Sequence, residues 1–317
     1  MLKVLATDNV SPQGLEPLRG VEGVMLDIKP TMPPDVLKQE IGGYQVAIIR
    51  SATKLKKDVL EHASGMKLII RAGIGVDNID VPYATERGII VANTPQGNLV
   101  ATAEHTFALI TALARHVPQA AASLKGGAWE KKLFVGTGLQ GKTLGIVGLG
   151  NVGQVVARIA EGFQMQVIAF DPLLDAAEVK RRRATKVELD DLLRRADIVT
   201  LHCPLNDQTR NLISAEALAK MKPSAFLINA ARGGILDEEA LAEALRAQKI
   251  RGAALDVFVS EPVPAGHPLL GLPNVVATPH IAASTREAQE GVAAEAAELI
   301  QEYVKKGTVR TQINRPR

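Results

Sequence analysis

The chain has 317 residues, 46% hydrophobic and 22% charged, with 37 basic residues against 34 acidic ones and a net charge of +3. That length suits about two domains of roughly 150 residues, and the composition excludes a disordered chain and any general mandate for nucleic acid. The single cysteine, Cys203, excludes a disulfide framework and a cysteine-rich zinc site, so no metal site is expected.

Short apolar runs rich in Val and Ile alternate with amphipathic stretches. Lys3–Ala6, Val46–Arg50, Leu68–Arg71 and Ile89–Ala92 read as buried strands. The N-terminal run meets Asp8 too early for a signal peptide, and no apolar run approaches the ~20 residues that span a bilayer. A reduced, cytoplasmic, soluble chain with no membrane partner is expected. The breaker cluster Asn93-Thr94-Pro95-Gln96-Gly97 opens a long Ala-rich stretch, Leu99–Leu124, that holds no strand and reads as helix. A domain boundary is placed there.

Two glycine motifs follow. Gly136 to Thr143 fits the Walker A pattern letter for letter, but it precedes a strand instead of leaving one, so it reads as a turn. Gly148-Leu149-Gly150-Asn151-Val152-Gly153 sits between the strand Leu144–Val147 and the helix Asn151–Glu161. There Gly148 allows a tight turn, Gly150 lets a pyrophosphate approach, and Gly153 lets the helix pack on the strand. Asp171 follows the strand Gln166–Phe170, eighteen residues after Gly153, placed to accept from ribose hydroxyls. This joint pattern predicts a dinucleotide site, and the carboxylate favours NAD over NADP. The basic run Lys180-Arg181-Arg182-Arg183 lacks aromatics and reads as a solvated face.

Four further strands, Ile198–Leu201, Ala225–Asn229, Ala253–Val257 and Val275–Thr278, lead up to a last helix, Thr285–Lys306. Three of their carboxyl ends carry Arg232, Glu261 and His280. Each alone has a bland explanation: a surface arginine, a loop charge, a turn histidine. Together, at the ends where open sheets bind ligands, they match the needs of hydride transfer to a 2-keto acid. A guanidinium holds the carboxylate, an imidazole moves the proton, and a carboxylate orients the imidazole.

These segments resemble the D-isomer-specific 2-hydroxyacid dehydrogenases along essentially the whole chain, most closely their 3-phosphoglycerate-using branch. Arg71-Ala-Gly-Ile-Gly-Val-Asp-Asn78 looks like the family's substrate loop. Asn229-Ala-Ala-Arg232-Gly-Gly, Asp256-Val-Phe with Ser260-Glu261-Pro262, and Thr278-Pro-His280-Ile-Ala-Ala-Ser-Thr285 look like its catalytic segments. The resemblance implies Arg232, Glu261 and His280 as catalytic residues. It implies cofactor contacts at Gly148, Gly150, Asn151, Val152, Gly153, Asp171, Cys203, Ala230, Ala231, Arg232, Asp256, His280 and Ala283. Substrate contacts are expected at Arg50, Ser51, Arg71, Gly73, Ile74, Gly75, Arg232 and His280, with Arg50 as the phosphate ligand. The chain departs from the family's usual Thr at Ile74 and usual Gly at Ala282.

The expected fold is α/β: two doubly wound parallel-sheet domains with the active site in the cleft between them. A Rossmann-type NAD domain, 97–285, would be inserted into a flavodoxin-like substrate domain formed by 1–96 and 286–317. The expected reaction is NAD-dependent oxidation of D-3-phosphoglycerate to 3-phosphohydroxypyruvate, a step of serine biosynthesis. The helix after Leu99 resembles the family's subunit-contact element, so a homodimer or homotetramer is expected. The sequence runs 37 residues past His280, so no C-terminal regulatory domain like that of longer relatives is expected. The rival readings are a glyoxylate, hydroxypyruvate or general 2-ketoacid reductase, and a dinucleotide-sensing corepressor.

Overall fold

Strands four or five residues long with both faces apolar are stable only when helices cover both sides of the sheet. The computed structural model, which describes residues 1–316, follows that rule in two units: Met1–Leu99 with the segment from Ser284 onward, and Val100–Ala283. In the first unit β1 (Leu2–Ala6), β2 (Val24–Ile28), β3 (Val46–Ile49), β4 (Leu68–Arg71) and β5 (Ile90–Asn93) form a parallel sheet of order β2-β1-β3-β4-β5. This is the flavodoxin-like order. Side chains alternate across it. Val4, Ala6, Val46, Ile48, Leu68 and Ile70 face the long helix Arg286–Lys306, while Leu5, Ala47, Ile49, Ile69 and Val91 face Leu37, Leu60 and Ala84 on the other side.

The long helix starts at Thr285, whose hydroxyl accepts from Ala288 N, and ends at Gly307 in the left-handed region (φ 72°). Its Glu295 is buried, and Oε2 accepts from Gln96 N (2.9 Å) and Gly97 N (3.0 Å). Burial pushes the Glu295 carboxyl up against the opposing effect of those two N–H groups. Gly97 lies so close to the helix that a Cβ there would sit 2.4 Å from Val292 N.

In the second unit β6 (Thr143–Val147), β7 (Gln166–Phe170), β8 (Thr185–Lys186), β9 (Ile198–Leu201), β10 (Phe226–Asn229), β11 (Gly252–Leu255) and β12 (Val275–Ala277) are also parallel. Their order is β12-β11-β10-β9-β6-β7-β8, the Rossmann arrangement with one strand added at an edge. Its core joins Val147, Val199, Leu227 and Ala253 to Leu192, Leu193, Leu241 and Leu245 from the covering helices.

Two features differ from the sequence reading. The edge strands β2 and β8 are additional. The stretch Leu99–Leu124 is two helices, Leu99–Ala114 and Val117–Lys125, separated at His116, whose φ of 54° is left-handed and cannot continue a helix. The basic run is a solvated face at Lys180, Arg181 and Arg183; only Arg182 is half-buried, its Nη1 donating to Leu149 O (2.8 Å) and its Nε to Glu178 (2.7 Å). No helix among the described residues is long and apolar enough to cross a membrane.

Gly97→Ala is expected to lower stability by about 1–3 kcal/mol, the cost of forcing a methyl into packed backbone. Gly20→Ala, where a Cβ meets nothing within 4 Å, should stay within about 0.5 kcal/mol of the parent. Urea unfolding of the two variants makes the comparison.

Candidate active site

The chain reverses direction across the second sheet between β6 and β9, and ligands of doubly wound sheets bind at that point. Three glycines shape it, each for its own reason. Gly148 has φ 90°, and a Cβ there would meet His202 and Cys203 backbone at 2.8 Å. Gly153 packs on the turn itself, since its Cβ would lie 2.4 Å from Gly148 O. Gly150 faces open space, with nothing within 4 Å of a Cβ. It begins the helix Asn151–Gly162, which has no side-chain cap. The helices Glu238–Arg246 and Arg286–Lys306, in contrast, are capped by Asp237 and Thr285. An uncapped first turn, with exposed Asn151 and half-buried Val152, offers N–H groups and the positive end of the helix dipole to an anion. These residues fit the pyrophosphate of a dinucleotide.

Asp171, the residue after β7, is buried, and its carboxylate closes the same turn. Oδ2 accepts from Leu149 N (2.9 Å) and Oδ1 from Leu173 N (3.0 Å). Each oxygen keeps a lone pair for a ribose hydroxyl. Cys203, half-buried beside Gly148, has its thiol pushed up to about 11 by burial, with Asp171 adding to the effect. Burial pushes the neighbouring His202 imidazole down to about 4, and its Nε2 lies 2.9 Å from Thr200 Oγ1. Neither group is charged near neutrality.

The carboxyl ends of β10, β11 and β12 carry the three polar residues singled out in the sequence. After β10, the buried Asn229 shapes the turn. Its Oδ1 accepts from Ala231 N (3.1 Å), and its Nδ2 donates to Arg232 O (2.9 Å). Gly233 then lets this turn touch the next, since a Cβ there would overlap Phe258 O at 2.0 Å. After β11, Glu261 Oε1 accepts from Phe258 N (3.1 Å), and Oε2 lies 2.7 Å from His280 Nδ1. Burial would raise the Glu261 carboxyl. The bond to His280, the Phe258 N–H and the nearby Arg232 charge overcome that and hold it below the usual range. His280 and Glu261 are each 38% exposed, so the pair is open to a ligand.

Asp256, expected as a cofactor contact, is fully covered. Its carboxylate accepts from Thr278 Oγ1 (2.6 Å), Ile281 N (2.9 Å) and Ala282 N (2.8 Å), and its Oδ1 lies 3.3 Å from His105 Nε2. Burial opposes its ionisation, yet these donors hold it below the usual range. Ala230 is buried, and Ala231 and Ala283 are half-buried in the adjoining turns. Among the described residues no cluster of metal-ligating side chains occurs.

The expected substrate residues Arg50, Ser51, Arg71, Gly73, Ile74 and Gly75 belong to the first unit. Arg50 and Ser51 follow β3 at that sheet's own reversal point, beside Asp8, which follows β1. Asp8 was not anticipated. Its Oδ2 accepts from Arg50 N and Thr53 N (both 2.9 Å), and its Oδ1 accepts from Thr53 Oγ1 (2.7 Å). Burial pushes the Arg50 guanidinium down, and Asp8 acts the other way. After β4, Gly73 (φ 142°) leaves room for the Arg71 guanidinium, which lies 1.5 Å from where a Cβ would stand. Thr94 Oγ1 accepts from Gly73 N (2.7 Å), and Asn93 Nδ2 donates to Ile74 O (2.7 Å), pinning the loop that includes Gly75.

Residues 107–282 match the family model described as the NAD binding domain of D-isomer specific 2-hydroxyacid dehydrogenases. The chain belongs to that family. It is 45% identical over 316 residues to a D-3-phosphoglycerate dehydrogenase of Synechocystis sp., covering 100% of this chain and 56% of the relative. Against the enzyme of the same name from Bacillus subtilis it is 44% identical, covering 100% of this chain and 59% of the relative. The chain thus spans somewhat over half the length of these curated relatives. Among solved structures, a glyoxylate reductase from Paecilomyes thermophila superposes with a TM-score of 0.89 at 30% identity, covering 98% of each chain. The match to the NAD-binding domain falls within the second unit, where the glycine turn and Asp171 lie.

Because the Cys203 thiol is held near 11, its reaction with a disulfide reagent should accelerate only as pH approaches that value, not near 8.5. At pH 7.5 native protein should react on the order of 100-fold more slowly than unfolded chain. Stopped-flow labelling of the sole cysteine measures both.

Proposed function

We propose that the chain catalyses NAD-linked hydride transfer between a D-2-hydroxy acid and its 2-keto acid, with D-3-phosphoglycerate and 3-phosphohydroxypyruvate as the pair. The observation that carries the chemistry is the 2.7 Å contact between His280 Nδ1 and Glu261 Oε2 at neighbouring strand ends. With Nδ1 committed to Glu261, Nε2 is the atom left to take the hydroxyl proton in oxidation and return it in reduction. Glu261, ionised, fixes the ring and stabilises the imidazolium form. Arg232 binds the substrate carboxylate through its planar fork and polarises the adjoining C2 oxygen. NAD, when bound, supplies the hydride acceptor. The turn Gly148–Gly153 with Asn151 and Val152 would hold its pyrophosphate, and Asp171 its ribose. A carboxylate at that place repels a 2′-phosphate and favours NAD over NADP.

The substrate reading rests on Arg50 and on similarity to relatives named for 3-phosphoglycerate. Arg50 is the proposed phosphate ligand, with Ser51 and Arg71 beside it in the substrate set. Serine biosynthesis and a cytoplasmic setting, which suits the lone half-buried thiol, belong to the same reading. So does a homodimer, because Val117, Leu124, Trp129, Leu133 and Val135 are 53% to 81% exposed on one short stretch of chain. The similarity to a glyoxylate reductase favours an unphosphorylated substrate as the second reading.

Replacing His280 by Gln should lower turnover of 3-phosphohydroxypyruvate with NADH by about 10²–10⁴-fold. In Glu261→Gln the imidazolium loses its partner, so the alkaline fall in reductase activity should move to lower pH. An unchanged profile removes the pairing from the mechanism. Arg50→Ala should weaken kcat/KM for the phosphorylated acid by about 1.5–3 kcal/mol, the value of a charged hydrogen bond. Hydroxypyruvate, assayed in parallel, should suffer far less; equal losses on both favour the general reductase.

A further inference from the structure

We propose that His105, on the helix Leu99–Ala114, is a positioning residue for His280, acting through Thr278 and Asp256. The proposal rests on the reading of His280 as the proton-transfer group.

His280 is held in the left-handed region (φ 54°), a conformation that needs outside support in a non-glycine residue. That support comes from Asp256 on both sides. Its backbone oxygen accepts from His280 N (2.8 Å), and its carboxylate accepts from Thr278 Oγ1 before the histidine and from Ile281 N and Ala282 N after it. The carboxylate is sealed from water, so the protein must supply every compensating donor. His105 Nε2 lies 3.2 Å from Thr278 Oγ1 and 3.3 Å from Asp256 Oδ1. Thr278 spends its one proton on Asp256, so its oxygen is left to accept, and Nε2 of His105 must carry the hydrogen. One N–H therefore fixes the hydroxyl's direction and adds a donor to the buried charge. Without it the Thr278 hydroxyl keeps only its bond to Asp256, and the segment bearing His280 loses a brace. The charged or titratable groups around that segment are Glu261, Asp256, Arg232 and His105 itself.

His105→Leu removes the donor and keeps an apolar body; His105→Gln keeps an amide N–H near the place of Nε2. In steady-state reduction of 3-phosphohydroxypyruvate by NADH, the Leu variant should lose about tenfold in kcat, since small misplacements of reacting groups cost up to ~10²-fold. KM for NADH should change far less than kcat, as the pyrophosphate and ribose contacts lie at the glycine turn and Asp171. The alkaline limb of the rate profile should move to lower pH, because a displaced ring bonds Glu261 less well. His105→Gln should restore both kcat and the limb. Thr278→Val, which removes the hydroxyl at nearly constant volume, should repeat the Leu phenotype and provides the same test if the Leu variant does not fold. A Leu or Val variant with parental kcat and pH profile, beside an inactive His280→Gln, overturns the proposal. So does equal loss of melting temperature and activity in Leu and Gln, which marks a packing role. Full turnover in His280→Gln overturns the reading beneath, and the proposal with it.

Discussion

A carboxylate sealed from water must find all its partners in the protein, and Asp256 finds most of them in the segment that follows β12. The backbone after His280, the hydroxyl before it and an imidazole from a distant helix all converge on one buried charge. Leaving any of them out costs more than the bond is worth in water, because an uncompensated charge at this depth has no alternative donor. The arrangement therefore has one geometry and not several. His280 and Glu261 inherit their 2.7 Å contact from it, since one end of that contact is fixed by Asp256 and the other by Phe258 N and the packed turn at Gly233. Rigidity at the strand ends is a by-product of satisfying a buried anion.

The two sheets solve the same problem twice. Each reverses its winding beside its first strand, and each fills the resulting gap with a loop drawn in by an aspartate. Asp171 binds the N–H of Leu149 in the glycine turn; Asp8 binds the N–H groups of Arg50 and Thr53. In both cases a carboxylate takes backbone donors that a parallel sheet leaves unpaired at its carboxyl edge. The second unit then leaves its following helix uncapped, while the first sets a guanidinium there. Both devices turn a reversal point toward anions, one by dipole and one by charge.

Much of this was legible in the sequence. Buried parallel strands are short, Val- and Ile-rich and flanked by breakers, so Gln166–Phe170 and Ile198–Leu201 were readable to the residue. The strand Val24–Ile28 was not, because an edge strand carries Asp27 and half-exposed positions and lacks a continuous apolar run. Pro118 was the available sign that the helix from Leu99 breaks, yet the left-handed turn at His116 is set by tertiary packing. At the site, Arg232, Glu261 and His280 stood out because each follows a readable strand. Asp8 and His105 did not. Their partners lie 42 to 45 and 173 residues away in sequence, and no local spacing encodes such contacts.

The left-handed backbone at His280 has a consequence for how this position can vary. Imidazole chemistry restricts the side chain, and a positive φ restricts it independently. Of the residues that tolerate that conformation, glycine, asparagine and aspartate are the readiest, and β-branched residues are nearly barred. A lineage in which the imidazole at this position became dispensable would thus drift first toward a narrow set of small polar residues or glycine, keeping the fold while losing the ring. The polypeptide's geometry, as much as its chemistry, edits the alphabet available there.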